Sequence, residues 1–368
     1  MSLPQRFNSL PNQVAGLLRD EIDRGAWTEW LPGERALTST LQVSRKTLRK
    51  ALVQLRGEGL ISSEHGLGNR IVPRGKRTSA SSHQDASIVA LLTPEPLEQM
   101  RPYTSLWVNH LKTLLGEKGI RLRAFDGQKY FSRHPENALA RLVSQSPAAC
   151  WLLANATEAT QRWFPEKRIR CVLAGSCHPG VDLPQADLDH YALCRHAAGV
   201  LLSAGHRRVA LLNGRTGRAG DAESEAGFIA GVRESPHSDA VPLVVHHEYS
   251  PASLSRALNR LLEISQPPTA LLVSNAASYL TVISVLAQRG LRVPRDVSVI
   301  SRDDEPFLSA LVPTPGRYSV SPNAFAKKLL RPIMQVISGE AIMPRKTLIL
   351  PQYVKGGSLG TLRGTSAA

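Results

Sequence analysis

Two spacings of apolar residues divide this chain. Up to about residue 60 they recur every three or four positions. Val14, Leu17, Leu18 and Ile22 form one such series, which stops at Gly25 and predicts a helix from about Ser9 to Arg24. "PGERALTSTL" predicts a short second helix carrying Ala36, Leu37 and Leu41. In "VSRKTLRKALVQLRGEGL", residues 43 to 60, Ser44 is a suitable N-cap and Val43 can staple onto Leu48. Leu48, Leu52 and Leu55 make a buried stripe there, ended by Gly57 and Gly59. "LISSEHGLGNRIV", residues 60 to 72, then reads as two short strands around a glycine-containing tip at His65 to Gly68. Three helices and a hairpin predict a winged helix-turn-helix over residues 1–72.

From residue 88 the pattern changes to short continuous apolar runs alternating with amphipathic segments. "IVALLTP", "IRLRAFD", "AACWLLA" and "RCVLAG" predict strands, with helices at about 104–118, 135–145 and 157–165. "RVALLNG", "PLVVHHEY", "ALLVSN" and "VSVISRDD" predict a second series, with helices at about 191–204, 221–233, 251–264 and 276–289. Such alternation argues for parallel sheets covered by helices on both faces. Two series of this length predict two Rossmann-like lobes, with a ligand cleft beyond the carboxyl ends of the strands. Between head and body, "PRGKRTSASSHQDAS", residues 73–87, has the composition of a linker. The fold class is therefore α/β with an N-terminal winged helix-turn-helix.

The length of 368 residues agrees with more than one domain, since single cores rarely grow beyond ~250–300 residues. Composition, at 42% hydrophobic and 20% charged, is that of an ordinary globular chain. The net charge of +15 is less ordinary and favours an acidic partner, nucleic acid or a membrane surface. It is densest at the front, where residues 1–77 hold thirteen Lys or Arg against seven Asp or Glu. The opening "MSLPQRFNSLPNQ" lacks a secretory signal's basic region and apolar core, and no stretch reaches the ~18 apolar residues of a membrane span. Cys150, Cys171, Cys177 and Cys194 form no C-x-x-C pair and sit in or beside apolar runs, the pattern of free thiols in a reducing compartment. These features predict a cytoplasmic protein with no membrane partner.

The third helix of the head opens with Arg45, Lys46, Arg49 and Lys50, at the end where the helix dipole already disfavours cations. One reading is a solvated basic face. The other is a recognition helix whose N-terminal cations meet phosphates and guanine acceptors in the major groove. The ordered set of capped short helix, basic helix and glycine-tipped hairpin favours the second.

The head resembles the GntR family of bacterial transcription regulators through "LPGERALTSTLQVSRKTLRKALVQLRGEGLISSEHGLGNRIV", close to that family's L-P-S-E-R, V-S-R-x-T-V-R-x-A-L and G-x-G wing. Position by position, the resemblance implies DNA contacts at Arg35, Arg45, Thr47 and Arg49 and, on the wing, His65 and Gly66. Ser44 would serve as cap and phosphate ligand, and Lys46 would tune sequence choice. Gly33 stands where the family often has Ser.

The body resembles the effector domain of the LacI family, of the type I periplasmic-binding-protein-like kind. "GHRRVALLNG", "EAGFIAGV" and "PPTALLVSNAASYLTVISVLAQRGLRVPRDVSVISRDDEPFLSALVP" carry this likeness, which is specific in the second lobe and weak in the first. It implies discontinuous lobes within residues 88–368: lobe 1 at about 88–185 and 319–346, lobe 2 at about 186–318 and 347–360. Asp303 and Asn275 match polar effector ligands of the family. Ser224 stands where it commonly has an effector-binding Arg, and Arg302 replaces an aromatic. Losing that guanidinium removes a bidentate partner, so either the effector differs from the usual sugars and purines or the pocket has lost its ligand. Asp303 and Arg302 read equally as effector contacts or as an ion pair shaping their loop.

Other signals carry less. Gly214, Gly217 and Gly220 follow a strand without matching a dinucleotide or Walker spacing. His246 and His247, adjacent in a strand, point to opposite faces. Trp151 and Trp163 read as core or as stacking platforms. No catalytic constellation, cofactor motif or metal spacing stands out. The expectation is a non-enzymatic, cytoplasmic transcription regulator, a repressor by preference. It would bind a double-stranded operator of two half-sites as a homodimer, under control of a sugar or related polar metabolite. A DNA-tethered α/β enzyme and a DNA binder with a vestigial sensor are the rivals.

Overall fold

The computed structural model describes residues 10–64, 68–72, 88–215 and 217–362. The chain divides into two units, Met1–Gln84 and Asp85–Ala368.

The head contains α1 (Leu10–Arg24), α2 (Glu34–Leu41), α3 (Arg45–Gly57) and the hairpin strands β1 (Ile61–Glu64) and β2 (Gly68–Ile71). Its core joins Val14, Leu18 and Ile22 of α1 to Leu37 of α2 and to Leu48, Leu52 and Leu55 of α3. Burying each of these aliphatic side chains stabilises the head by ~1.5–3 kcal/mol. Leu17, placed on the apolar stripe by spacing, is instead exposed. The turn from α2 into α3 passes through Gln42 in the left-handed region, at φ 51°. β1 and β2 pair antiparallel, Ile61 opposite Ile71. A feature absent from the sequence reading is a third edge: Leu31 N donates to Asn69 O at 2.9 Å and Ile71 N to Glu29 O at 2.8 Å. The linker segment 73–87 and the wing tip, including His65 and Gly66, lie outside the described residues.

The body begins with β3 (Ile88–Thr93), α4 (Pro102–Gly116), β4 (Arg121–Asp126), α5 (Glu136–Gln145), β5 (Cys150–Ala154), α6 (Glu158–Glu166), β6 (Cys171–Ala174) and β7 (Gln185–Leu188). It continues through α7 (His190–Ser203), β8 (Arg208–Gly214), α8 (Ala219–Arg233), β9 (Val241–His247), α9 (Pro251–Leu262), β10 (Ala270–Val273), α10 (Ala276–Gln288) and β11 (Ser298–Ser301). β12 (Gly316–Ser319), α11 (Pro322–Ser338), β13 (Lys346–Ile349) and β14 (Gln352–Val354) complete it. The first sheet runs β13-β7-β6-β5-β3-β4, all parallel; the second runs β14-β12-β11-β10-β8-β9, parallel except for β14.

Fully buried runs such as Cys150–Ala154 and Ala270–Val273 occupy the middle of these sheets, because both faces are covered. In lobe 1, α4 and α11 cover one face, and α5 and α6 the other. In lobe 2, α9 and α10 lie on one face, and α7 and α8 on the other. Gly227, the glycine of the "GF" pair, lets α8 press on α7: a Cβ there would lie 2.2 Å from Tyr191 O.

The chain passes between lobes three times, after β7, after β12 and after β13. The expected boundary at residues 185/186 cuts through β7, whose residues pair with β6 and β13 of the first sheet. Similarly, the boundary at 346/347 cuts β13, and that at 318/319 clips β12. All three fall inside strands that apolar patterning had not revealed, since each has only four residues.

Candidate functional site

The first candidate surface is the exposed side of α3. Ser44 caps the helix, its Oγ accepting from Thr47 N at 3.1 Å and lying 2.8 Å from Thr47 Oγ1. With Leu48, Leu52 and Leu55 turned into the core, Arg45, Lys46, Arg49 and Lys50 line one outward groove with Val53. Arg49 is not wholly free, because its Nε donates to Glu34 Oε2 at 3.0 Å. That pair is solvent-exposed and weak, ~0–1 kcal/mol. Arg35 is also exposed on α2. The predicted contacts Arg35, Ser44, Arg45, Lys46, Thr47 and Arg49 thus occupy two successive helices of a helix-turn-helix.

The second candidate lies in the body, where loops beyond the carboxyl ends of both sheets meet. They enclose a cavity of about 150 Å³, a volume that accommodates about one six-membered ring. Two ties join the lobes beside it. Arg101, at the N-cap of α4 in lobe 1, places Nη1 2.5 Å from Asp303 Oδ2 and donates Nε to Glu305 Oε1 at 2.8 Å. Tyr103 N donates to Glu305 Oε2 at 3.0 Å. The carboxylates are 4% and 2% exposed and belong to lobe 2. In the other tie, Ser176 Oγ lies 2.9 Å from Asp187 Oδ2 and 2.8 Å from Glu223 Oε2. Lys346 Nζ stands 3.5 Å from Glu223 Oε1.

Burial works against the charge of Asp303, but Arg101 and Arg302 outweigh it and hold its carboxyl below the usual range. Burial likewise opposes ionisation of Asp187, and His190, 3.4 Å away, turns the balance downward. Burial pushes the Tyr103 phenol up, so it stays protonated. Four buried polar atoms on cavity-lining residues make no hydrogen bond: Tyr103 OH, His190 Nδ1, Arg302 Nε and Asp303 Oδ2, the last ion-paired with Arg101. Polar atoms at a cavity wall are costly to bury unless water or a polar ligand meets them.

Of the expected effector residues, Asp303 and Arg302 line this cavity. Asn275 does not: its Oδ1 accepts from Ala277 N and Ser278 N, capping α10. Ser224 is fully buried behind the wall, where it accepts from Arg302 Nη1 at 2.7 Å. Both corrections are matters of position: Asn275 is held at the start of α10 and Ser224 lies behind Arg302, so neither reaches the cavity wall. The two readings of Asp303 and Arg302 turn out to be compatible, since Arg302 Nε lies 3.6 Å from Asp303 Oδ1 while both face the cavity. Sequence reasoning missed Arg101, Tyr103, Asp187, His190 and Arg218. The "RPY" at Arg101 was a visible helix start, but its partners are some 200 positions away.

The remaining signals resolve simply. Trp151 and Trp163 pack in the lobe 1 core with Phe164, and the indole at the cavity is Trp107. His246 pairs with Glu225 on the surface, while His247 is buried on the opposite face. Cys150, Cys171 and Cys194 are buried free thiols, Cys177 a half-buried one. Among the described residues no helix is long and apolar enough to cross a membrane, and no group of three His, Cys, Asp or Glu could hold a metal ion.

Residues 10–71 match the family described as bacterial regulatory proteins, gntR family, and residues 198–359 match the periplasmic binding protein-like domain. The HTH-type transcriptional regulator AscG of Escherichia coli K12 is 24% identical over 332 residues, covering 84% of this chain and 95% of its own. The crystal structure of transcriptional regulator LacI from Bacillus cereus subsp. cytotoxis NVH 391-98 superposes with a TM-score of 0.66 at 20% identity, over 76% of this chain and 100% of its own. A cellobiose complex of transcriptional regulator CelR superposes at 0.65 and 19% identity, over 96% of this chain and 100% of its own.

Proposed function

We propose that this chain, a DNA-binding transcription regulator with a GntR-type head and a periplasmic-binding-protein-like body, is a repressor whose operator affinity is set by a small polar effector in the interlobe cavity. The observation that carries this reading is the outward cationic groove of α3, backed by a leucine-lined underside. In a winged helix-turn-helix such a face enters the major groove, where Arg45 and Arg49 can pair with guanine, Lys46 can tune the choice of sequence and Lys50 can meet phosphate. Arg35 of α2 would add a backbone contact, and the wing residues His65 and Gly66 a second one.

The body supplies the control. A ligand that prefers one arrangement of the lobes shifts its population and thereby the affinity of the heads. Its contacts would come from Arg302, Tyr103 and His190, whose polar atoms without a hydrogen bond suit hydroxyl and anionic groups, beside the paired carboxylate of Asp303. Of the relatives, CelR has been captured with cellobiose, which supports a sugar-like effector here. Two copies on two half-sites give the working unit, acting in the cytoplasm where the operator lies.

The test is selection of bound fragments from random DNA by the full-length protein, followed by anisotropy titrations with and without candidate metabolites. One enriched, two-part sequence whose affinity changes with a metabolite that is not consumed is the expected result. Binding without sequence preference would sink the reading. Turnover of the metabolite would favour an enzyme.

A further inference from the structure

The hydrogen-bonding capacity of the inner cavity is lopsided, and the imbalance bears on what the effector is; this step rests on the effector reading above. The carboxylates around the cavity are largely spent. Asp303 is paired with Arg101 and flanked by Arg302. Glu305 accepts from Arg101 Nε and Tyr103 N. Asp187 is met by Ser176, Leu188 N and His190.

The cationic donors are not spent. Arg302 is 8% exposed, and its Nε, 3.6 Å from Asp303 Oδ1, makes no hydrogen bond. Its orientation is fixed from behind: Nη1 donates to Ser224 Oγ, which itself donates to Gly220 O at 2.7 Å. The guanidinium, from the turn after β11, is therefore anchored to α8. A second guanidinium, Arg218 at the N-cap of α8, lines the same cavity and its outer, more open continuation. Among the described residues Arg218 has no hydrogen bond or ion pair through its side chain. Asp221 acts on it through space, and Arg101 and Arg302 are its like-charged neighbours. A cation in that position is favoured by an incoming anion.

We propose that the effector is a single-ring metabolite bearing an anionic oxygen group, carboxylate or phosphate, which Arg302 and Arg218 hold while the ring occupies the cavity beside Tyr103. Arg302 is the buried, preset donor. Arg218, at the more open end, sets the preference for an anion.

The experiment is calorimetric titration of the full-length protein with a matched panel of hexoses, their uronates and their 6-phosphates, repeated on Arg218→Gln and Ser224→Ala. Arg218 is solvent-accessible, so its glutamine variant keeps the fold testable, and thermal melting verifies this. At least one acidic member should bind roughly tenfold or more tighter than its neutral parent, as charge-assisted pairs do. Arg218→Gln should remove most of that gap while leaving the neutral parent within about twofold. Ser224→Ala, which loosens Arg302, should weaken the acidic members more than the neutral ones. The uronate and phosphate arms distinguish the two anion sources. Neutral hexoses binding as tightly as their acids, or a gap that survives Arg218→Gln, overturns the inference and leaves the sensor reading standing. Operator binding with no panel member bound at millimolar concentration would overturn both.

Discussion

On α3 the cations point away from the core of the head, whereas in the cleft they point into the cavity between the lobes. Arg45, Lys46 and Lys50 stand in solvent, and the groups that orient them, Ser44 to Leu55, lie on the same helix. Arg101 is joined to carboxylates that follow it by more than 200 positions, and Arg302 to a serine 78 positions before it. A charge kept for a partner outside the molecule leaves a local trace, because the fold must push it outward. One consumed inside the molecule leaves none.

Breaking the cleft half of this comparison should have the largest effect. Arg101→Ala strands Asp303 and Glu305, and removing one partner of a buried pair costs about 3–5 kcal/mol. Since Arg101 is 36% exposed, the low end of that range applies, and opening of the cleft would relieve part of it. A lower melting temperature and a larger radius of gyration by small-angle scattering are expected; an unchanged envelope would show that Arg101 is not what holds the lobes together. Acid should release the same tie. Asp303's carboxyl is depressed in the folded state, so its stabilising contribution is present above the unfolded value near 3.8 and is lost as pH falls through the lower folded one. Scattering profiles should therefore hold steady down to about pH 4 and change below it.

Breaking the head half comes next. Arg45→Ala should weaken specific-site binding by about 1–3 kcal/mol if the guanidinium reads a base. Equal losses on operator and random duplex would assign it to phosphate instead. Ser44→Ala, which removes the cap, should destabilise the head by about 1 kcal/mol in chemical denaturation. The smallest effect is expected of Glu34→Gln. Loosening an exposed pair worth well under ~1 kcal/mol frees Arg49, so affinity for any duplex should rise slightly, and more so at low salt. A fall would mean that Glu34 is needed to aim Arg49.

This contrast also explains what could be read in advance. The cap at Ser44, the leucine stripe, the hairpin and the long alternation of the body all arise from interactions within one element or between neighbours, and periodicity records those. The strands β7, β12 and β13 are four residues each, too short for a period of two to stand out, so the lobe boundaries drifted into them. Asn275 and Ser224 were assigned to the cavity from the positions of their residues in a family pattern. The cap of α10 and the support of Arg302 emerge only when α10 and β11 are seen beside their neighbours. Arg101 showed only a helix start, because the carboxylates that give it a role come from the other lobe.

The threefold passage between lobes has a consequence for synthesis of the protein. The face of the first sheet that carries Val89, Leu91 and Leu152 is covered in part by Phe325, Leu329 and Ile333 of α11, and its edge is closed by β13. These arrive roughly 150 residues after β7, which at ribosomal speed is about 8–30 s. During that interval the nascent first lobe presents an oily, half-sealed surface to the cell, while the head has long been able to fold.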